Sequence, residues 1–185
     1  MKLITGLGNP GRSYARHRHN AGFFVIDELA KRHGIKLAKR SFGALTGSGA
    51  VGKESVLLAK PMQYMNLSGG PVKSLLGYFR LGPDSLIVIH DDLDLDPGRI
   101  KLTRSSGHAG HNGVRSIIDE LDTSDFIRVR LGIGRPPAGI DGADYVLTSF
   151  KKDEMEAAAA AVALAADAVE TILEQGLAAA QQKYH

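Results

Sequence analysis

Lys2-Leu-Ile-Thr-Gly-Leu-Gly-Asn-Pro-Gly11, followed a few residues later by Arg18-His-Asn-Ala-Gly22, decides how this chain is read. An apolar strand runs into a glycine-rich turn, and the chain then delivers a histidine flanked by arginine and asparagine. Glycine lets backbone N–H groups come close to a ligand. Histidine is the side chain best suited to proton transfer near neutral pH. The two together point to the floor of an active site rather than a plain turn.

Working outward, Asn20 stands where it can cap a helix bearing Phe23, Phe24, Ile26, Leu29 and Ala30, with Gly34 as its stop. Ala44–Val51 and Ser55–Ala59 read as a strand pair across Gly52-Lys53. Ser68 and Pro71 open a second helix, with Val72, Leu75, Leu76 and Phe79 on one face and Gly82 at its end. Leu86–Ile89 is a short strand ending at His90-Asp91, and Arg99–Thr103 and Phe126–Ile133 are two more. Asn112 or Gly113 opens a helix with Val114, Ile117, Ile118 and Leu121 inward. From Lys151 an alanine-rich helix runs to about Gly176, anchored by Leu164, Val169, Ile172 and Leu173. Gly134–Gly142 is a loop and a candidate lid. Alternating strands and helices predict one α/β domain over residues 1–185: a twisted mixed sheet with helices on both faces, three layers in all.

The 185 residues suffice for a full core. Cysteine is absent, which excludes a disulfide framework, a thiol nucleophile and a thiolate metal site. The N-terminus reads as a strand rather than a signal peptide, and the run Ala157–Ala166 is far too short to span a bilayer. A cytoplasmic monomer without a membrane partner is the expectation. Net charge is +3, unevenly placed: residues 151–185 carry three lysines and six acids, so the other 150 residues carry +6. Arg12, Arg16, Arg18, Arg99, Lys101, Arg104, Arg128, Arg130 and Arg135 gather beside the glycine-rich loops, as a site for a polyanionic substrate requires.

Several chemistries fail on spacing. Gly6-x-Gly8-x-x-Gly11 matches the dinucleotide fingerprint literally, but the polar, basic run after it does not suit a helix packed closely on a sheet. His90–Asp96 is rich in acids, yet Pro97 and Thr103 stand where an EF-hand needs glycine and glutamate. His108 and His111 could offer zinc ligands, but the intervening glycine argues against a helix holding them. No Gly-x-Ser-x-Gly elbow exists. The remaining reading is water activated by a base, with no metal and no cofactor. His19, His90 and His111 each sit beside Asn or Asp and are the base candidates, while Asn9, Asn66 and Asn112 offer amides in loops.

Four segments in order resemble the bacterial peptidyl-tRNA hydrolase family: Gly6–Gly11 with Arg18–Gly22; Met65-Asn-Leu-Ser-Gly69; His90-Asp-Asp-Leu-Asp-Leu95; and Gly107-His-Ala-Gly-His-Asn-Gly113 with Arg130-Leu-Gly-Ile-Gly134. The resemblance implies hydrolysis of the ester joining a peptide to the tRNA ribose. It implies His19 as general base, Asp91 as its orienter and Asn9 beside the ester. Asn66 and Asn112 would hold the peptide–ribose end, Tyr14 and Tyr64 the tRNA end, and Lys101 with Arg130 the 5′ phosphate. One departure stands out: Thr103 occupies the position of an expected second lysine. Arg104 is the nearest substitute, although strand alternation sends it to the opposite face. Two other readings remain open on the residues alone, an RNA-binding module without chemistry and an enzyme acting on a nucleotide or small ester.

Overall fold

The strands are β1 (Lys2–Gly6), β2 (Lys39–Ser41), β3 (Ala44–Val51), β4 (Glu54–Pro61), β5 (Leu86–Asp92), β6 (Ile100–Arg104) and β7 (Ile127–Gly132). The structure, a computed structural model, describes residues 1–185. All seven strands join one sheet in the order β2-β3-β4-β1-β5-β7-β6. β1 runs parallel to β4 and β5, and β5 parallel to β7, whereas β2, β3 and β6 pair antiparallel. The helices are α1 (Ala21–His33), α2 (Gly69–Tyr78), α3 (Asn112–Leu121), α4 (Gly142–Tyr145), α5 (Met155–Gln175) and α6 (Leu177–Tyr184). None is long and apolar enough to cross a membrane.

The strand alternation explains the layers. Ile87 and Ile89 of β5 join Ile4, Leu58, Val129 and the inner faces of α1 and α5 in one core. Leu86 and Val88 of the same strand join Leu3, Leu57 and Phe126 under α2 and α3 in a second core. A strand buried on both faces reads as a continuous apolar run, as Leu86–Ile89 does. Each such side chain contributes about 1.5–3 kcal/mol by leaving water.

The four parallel strands deliver their carboxyl ends to one edge of the sheet, where ligands bind in folds of this class. α1 lands directly on the backbone there. A Cβ on Gly22 would sit 2.8 Å from the Leu7 carbonyl oxygen and closer still to Leu7 N and the Ile89 carbonyl oxygen. Opposite, a Cβ on Gly6 would meet Ile26 Cγ1 at 2.6 Å and the Gly22 carbonyl closer still. These two glycines are required by close approach rather than by turn geometry.

Several sequence expectations shift by a turn. Gly34 ends α1 at φ 61°, as predicted. α2 ends earlier than Gly82: Arg80 takes the left-handed conformation (φ 55°), and Leu81 N–H reaches back to the Leu76 carbonyl. The alanine-rich helix starts at Met155, and Gly176 (φ 92°) separates it from α6. β2 and α6 were not predicted. On β6, Gln181 Nε2 donates to the Leu102 carbonyl, and Leu102 N–H donates to His185 Nε2. Asn20 and Ser68 stand at the N-cap positions of α1 and α2, as the sequence places them, but neither side chain makes a capping hydrogen bond. The Asn20 amide bonds the backbone of Asn9, and Ser68 Oγ donates to the Met65 carbonyl.

Candidate active site

Asn9 is buried where β1 leaves the sheet. Its N–H donates to Asn20 Oδ1 at 2.9 Å, and Asn20 Nδ2 donates back to its carbonyl at 3.0 Å. Asn9 Oδ1 accepts from Met65 N–H at 2.7 Å. Because a backbone N–H needs an acceptor, that bond fixes the orientation of the side-chain amide. Asn9 Nδ2 is left as a donor for something other than the backbone around it.

His19 lies on a short turn, Arg18–Asn20, just before α1. Its Nδ1 is 2.9 Å from both Asp91 oxygens. Asp91 is buried at the end of β5. Burial alone would raise its carboxyl, but the neighbouring His19 and His111 imidazoles and their hydrogen bonds hold it well below the ordinary carboxylate range. An ionised carboxylate only accepts, so the proton of neutral His19 sits on Nδ1 and Nε2 keeps its lone pair. An imidazole held this way can accept a proton at Nε2.

Asp91 has a second imidazole that sequence reasoning did not connect to it. His111 Nε2 lies 2.9 Å from Asp91 Oδ1. The same ring caps α3, its Nδ1 accepting from Gly113 N–H and Val114 N–H. The helix opens at Asn112, as expected, with His111 as its cap. His90 completes the group, donating from Nδ1 to the Asp91 carbonyl at 2.7 Å. Burial, then His111 and Arg128 nearby, push His90 well below its usual range, so its ring is neutral.

His19, Asp91 and His111 offer ligand atoms within 4.8 Å of one another, a spacing that could hold a metal ion. The tautomer opposes it. His111 Nδ1 accepts two backbone N–H groups, so its Nε2 carries the proton and has no lone pair to offer.

The His19 turn is strapped from outside. His17 forms a β-bridge with Ser149, Arg18 N–H donates to the Thr148 carbonyl, and His19 N–H to that of Val146. The buried Arg18 guanidinium makes two bonds of 2.9 Å to Glu154, and its Nε donates to Thr148 Oγ1. It lies over the rings of Tyr145 at 4.4 Å and Phe150 at 5.0 Å. The Arg18 hydrogen bond lowers the Glu154 carboxyl. Arg18 is thus committed to structure and is not a free cation for a polyanion.

The other predicted residues separate into groups. Asn112 lines the same polar cavity as His19, Asp91 and His111. Asn66 is exposed on the turn Met65–Leu67, which Asn9 tethers. Tyr14 and Tyr64 meet edge to face, centroids 6.1 Å apart, with Tyr64 58% exposed. Lys101 and Arg130 are direct cross-strand partners on one sheet face, and Arg130 Nε donates to Asp92 Oδ2 at 2.6 Å. Arg104 does not join them. It points to the other face and is held by both oxygens of Asp125. Thr103 shares the Lys101 face and accepts from Ser106 Oγ.

The peptidyl-tRNA hydrolase family profile matches residues 3–185. The chain belongs to that family. Among curated members it is 48% identical to the peptidyl-tRNA hydrolase of Arthrobacter sp. (strain FB24) over 185 residues, 99% of this chain and 95% of the other. It is 52% identical to that of Geobacillus thermodenitrificans over 170 residues, 92% of this chain and 91% of the other. Among family members of known structure, peptidyl-tRNA hydrolase from Acinetobacter baumannii superposes with a TM-score of 0.93 at 35% identity, covering 100% of this chain and 94% of that one. The family and its three-layer α/β fold are those the sequence motifs predicted.

Proposed function

We propose that this chain hydrolyses the ester of peptidyl-tRNA by activating water with His19. The observation that carries the reading is the buried Asp91 against His19 Nδ1, which leaves Nε2 free to accept a proton. Water attacks the ester carbonyl carbon and passes one proton to His19 Nε2, and Asp91 stabilises the imidazolium that forms. The tetrahedral intermediate collapses by breaking the bond to the ribose oxygen. That oxygen takes the proton from His19 as tRNA leaves, and the peptide carboxylic acid, which keeps the other water proton, releases it to solvent to become the carboxylate. An activated ester needs no metal for this, because a positioned water and donors to the oxyanion suffice.

Asn9, with its oriented Nδ2, contacts the peptide beside the ester, and Asn66 and Asn112 hold the peptide–ribose end. Tyr14 and Tyr64 offer aromatic surface to the tRNA end. Lys101 and Arg130 receive phosphate, and Arg104 has no part in that contact.

The test compares N-blocked with free aminoacyl-tRNA as substrate, with a chelator present. Selective, chelator-resistant cleavage is expected. His19→Ala should lower turnover about 10²–10⁴-fold while tRNA binding, weakening as salt rises, persists. Parent-level turnover in His19→Ala would overturn the mechanism. Salt-dependent binding without cleavage by the parent would identify an RNA-binding module instead.

A further inference from the structure

We infer that His111 is a positioning residue for hydrolysis: it fixes the Asp91 carboxylate against His19. The inference rests on the reading of His19 as the base.

The geometry leaves His111 little freedom. Its Nδ1 accepts from Gly113 N–H at 3.1 Å and from Val114 N–H at 3.3 Å. A nitrogen that accepts two N–H bonds carries no proton, so the proton of the neutral ring is on Nε2, aimed at Asp91 Oδ1. The first turn of α3 polarises the ring further, since donation to Nδ1 strengthens Nε2–H as a donor. Asp91 is gripped three ways, by His19 and His111 at its carboxylate and by His90 at its carbonyl. The His111 ring is wedged between the others, 4.8 Å from His19 and 4.7 Å from His90 between centroids.

The groups that act on His19 are few. Asp91 faces it from β5, His111 from the α3 cap, and His17 and Arg18 lie on its own turn, with Arg18 spent on Glu154. Farther along the cavity stand His90, His108, Arg128 and the Asp92–Arg130 pair, and the α4 side contributes only Gly142, Ala143 and Val146. A carboxylate that receives two imidazole N–H groups presents less negative potential to either than one that receives a single donor. His111 therefore shares the carboxylate with His19 and holds it in place against His19 Nδ1. It also ties Asn112, the next residue, to the orienting carboxylate.

Two half-variants separate the roles. His111→Asn keeps a good cap acceptor but is too short to reach Asp91. His111→Gln places an amide donor near the position of Nε2. His111→Asn should lower kcat about tenfold with KM within about twofold. His111→Gln should recover most of the lost kcat. Parent-like kcat in His111→Asn overturns the inference. So does a rise in KM alone, which would mean that the ring only holds the Asn112 loop. Should His111→Asn fail to fold, imidazole ¹⁵N spectra of the parent at pH 8 decide: His111 must carry its proton on Nε2, and an Nδ1–H ring overturns the inference. His19→Ala, assayed alongside, isolates the premise. An active His19→Ala refutes the base itself, whereas an inactive one beside a parent-like His111→Asn refutes only the role of His111.

Discussion

Gly22→Ala probes how closely the site depends on the seat of α1. By helix propensity alone, alanine should stabilise by about 1 kcal/mol. The structure predicts the opposite. The added methyl would lie 2.8 Å from the Leu7 carbonyl oxygen, nearer to Leu7 N and the Ile89 carbonyl oxygen, and all three are backbone atoms that cannot swing aside. Restoring ordinary contact requires α1 to withdraw by about 1 Å. Overpacking of this kind costs about 3 kcal/mol, leaving a net loss of about 2 kcal/mol, or about 4–8 °C in Tm for a chain of this size. The His19 turn rides on α1, so its Nδ1 moves from 2.9 Å of Asp91 to beyond hydrogen-bond range. A displacement of that size lowers turnover about 10²-fold. Thermal melts and single-turnover hydrolysis measure both effects. Gly77→Ala is the control, because nothing lies within 4 Å of its added methyl, and it should gain stability with activity unchanged. A Gly22→Ala protein as stable and as active as the parent would refute the reasoning.

Arg18→Met should cost about 1–3 kcal/mol, discounted because Glu154 is partly solvated; Arg18→Lys should not restore it, since one ammonium cannot replace the paired bonds to Glu154. Urea titrations of both variants check this, and a fully stable Arg18→Lys would contradict it. Below about pH 6.5, unfolded His90 gains a proton that the folded ring refuses, so stability should fall with falling pH by up to about 1.4 kcal/mol per unit. His17, also lowered, acts in the same direction. His90→Asn, whose amide can still donate to the Asp91 carbonyl, should flatten that slope, and an unchanged slope would locate the proton elsewhere. Dialysis against EDTA should leave turnover intact, whereas a loss restored by zinc would contradict the tautomer assigned to His111.

Alternation made the sheet legible. Leu86–Ile89 was readable as a strand because each neighbour serves a different core. His19 and Asp91 were paired through the resemblance of their segments to the family, since residue type alone left His19, His90 and His111 open, and the fold brings the two side chains into contact. The His111–Asp91 bond was not, because a helix cap and a strand end twenty positions apart leave no spacing signal. Asn20 misled for a related reason: cap propensity is local, while its partner Asn9 is brought to it by the glycine turn. β2 is short and polar, and it forms because β3 supplies pairing partners, not because its own residues favour a strand. α6 was hidden because the alanine-rich character of the tail continues past Gly176.

The side chains of Gln181 and His185 bear on how this molecule behaves among its own copies. β6 is the last strand of the sheet, and an outermost strand with free N–H and C=O groups is a template for another chain. At Leu102 both groups are already engaged, so an incoming strand would have to break two bonds before making any. The tail helix thus works as a guard against templated aggregation. Lifting α6 would bare that rung while the sheet stayed whole, and self-association through β6 would then set in before unfolding.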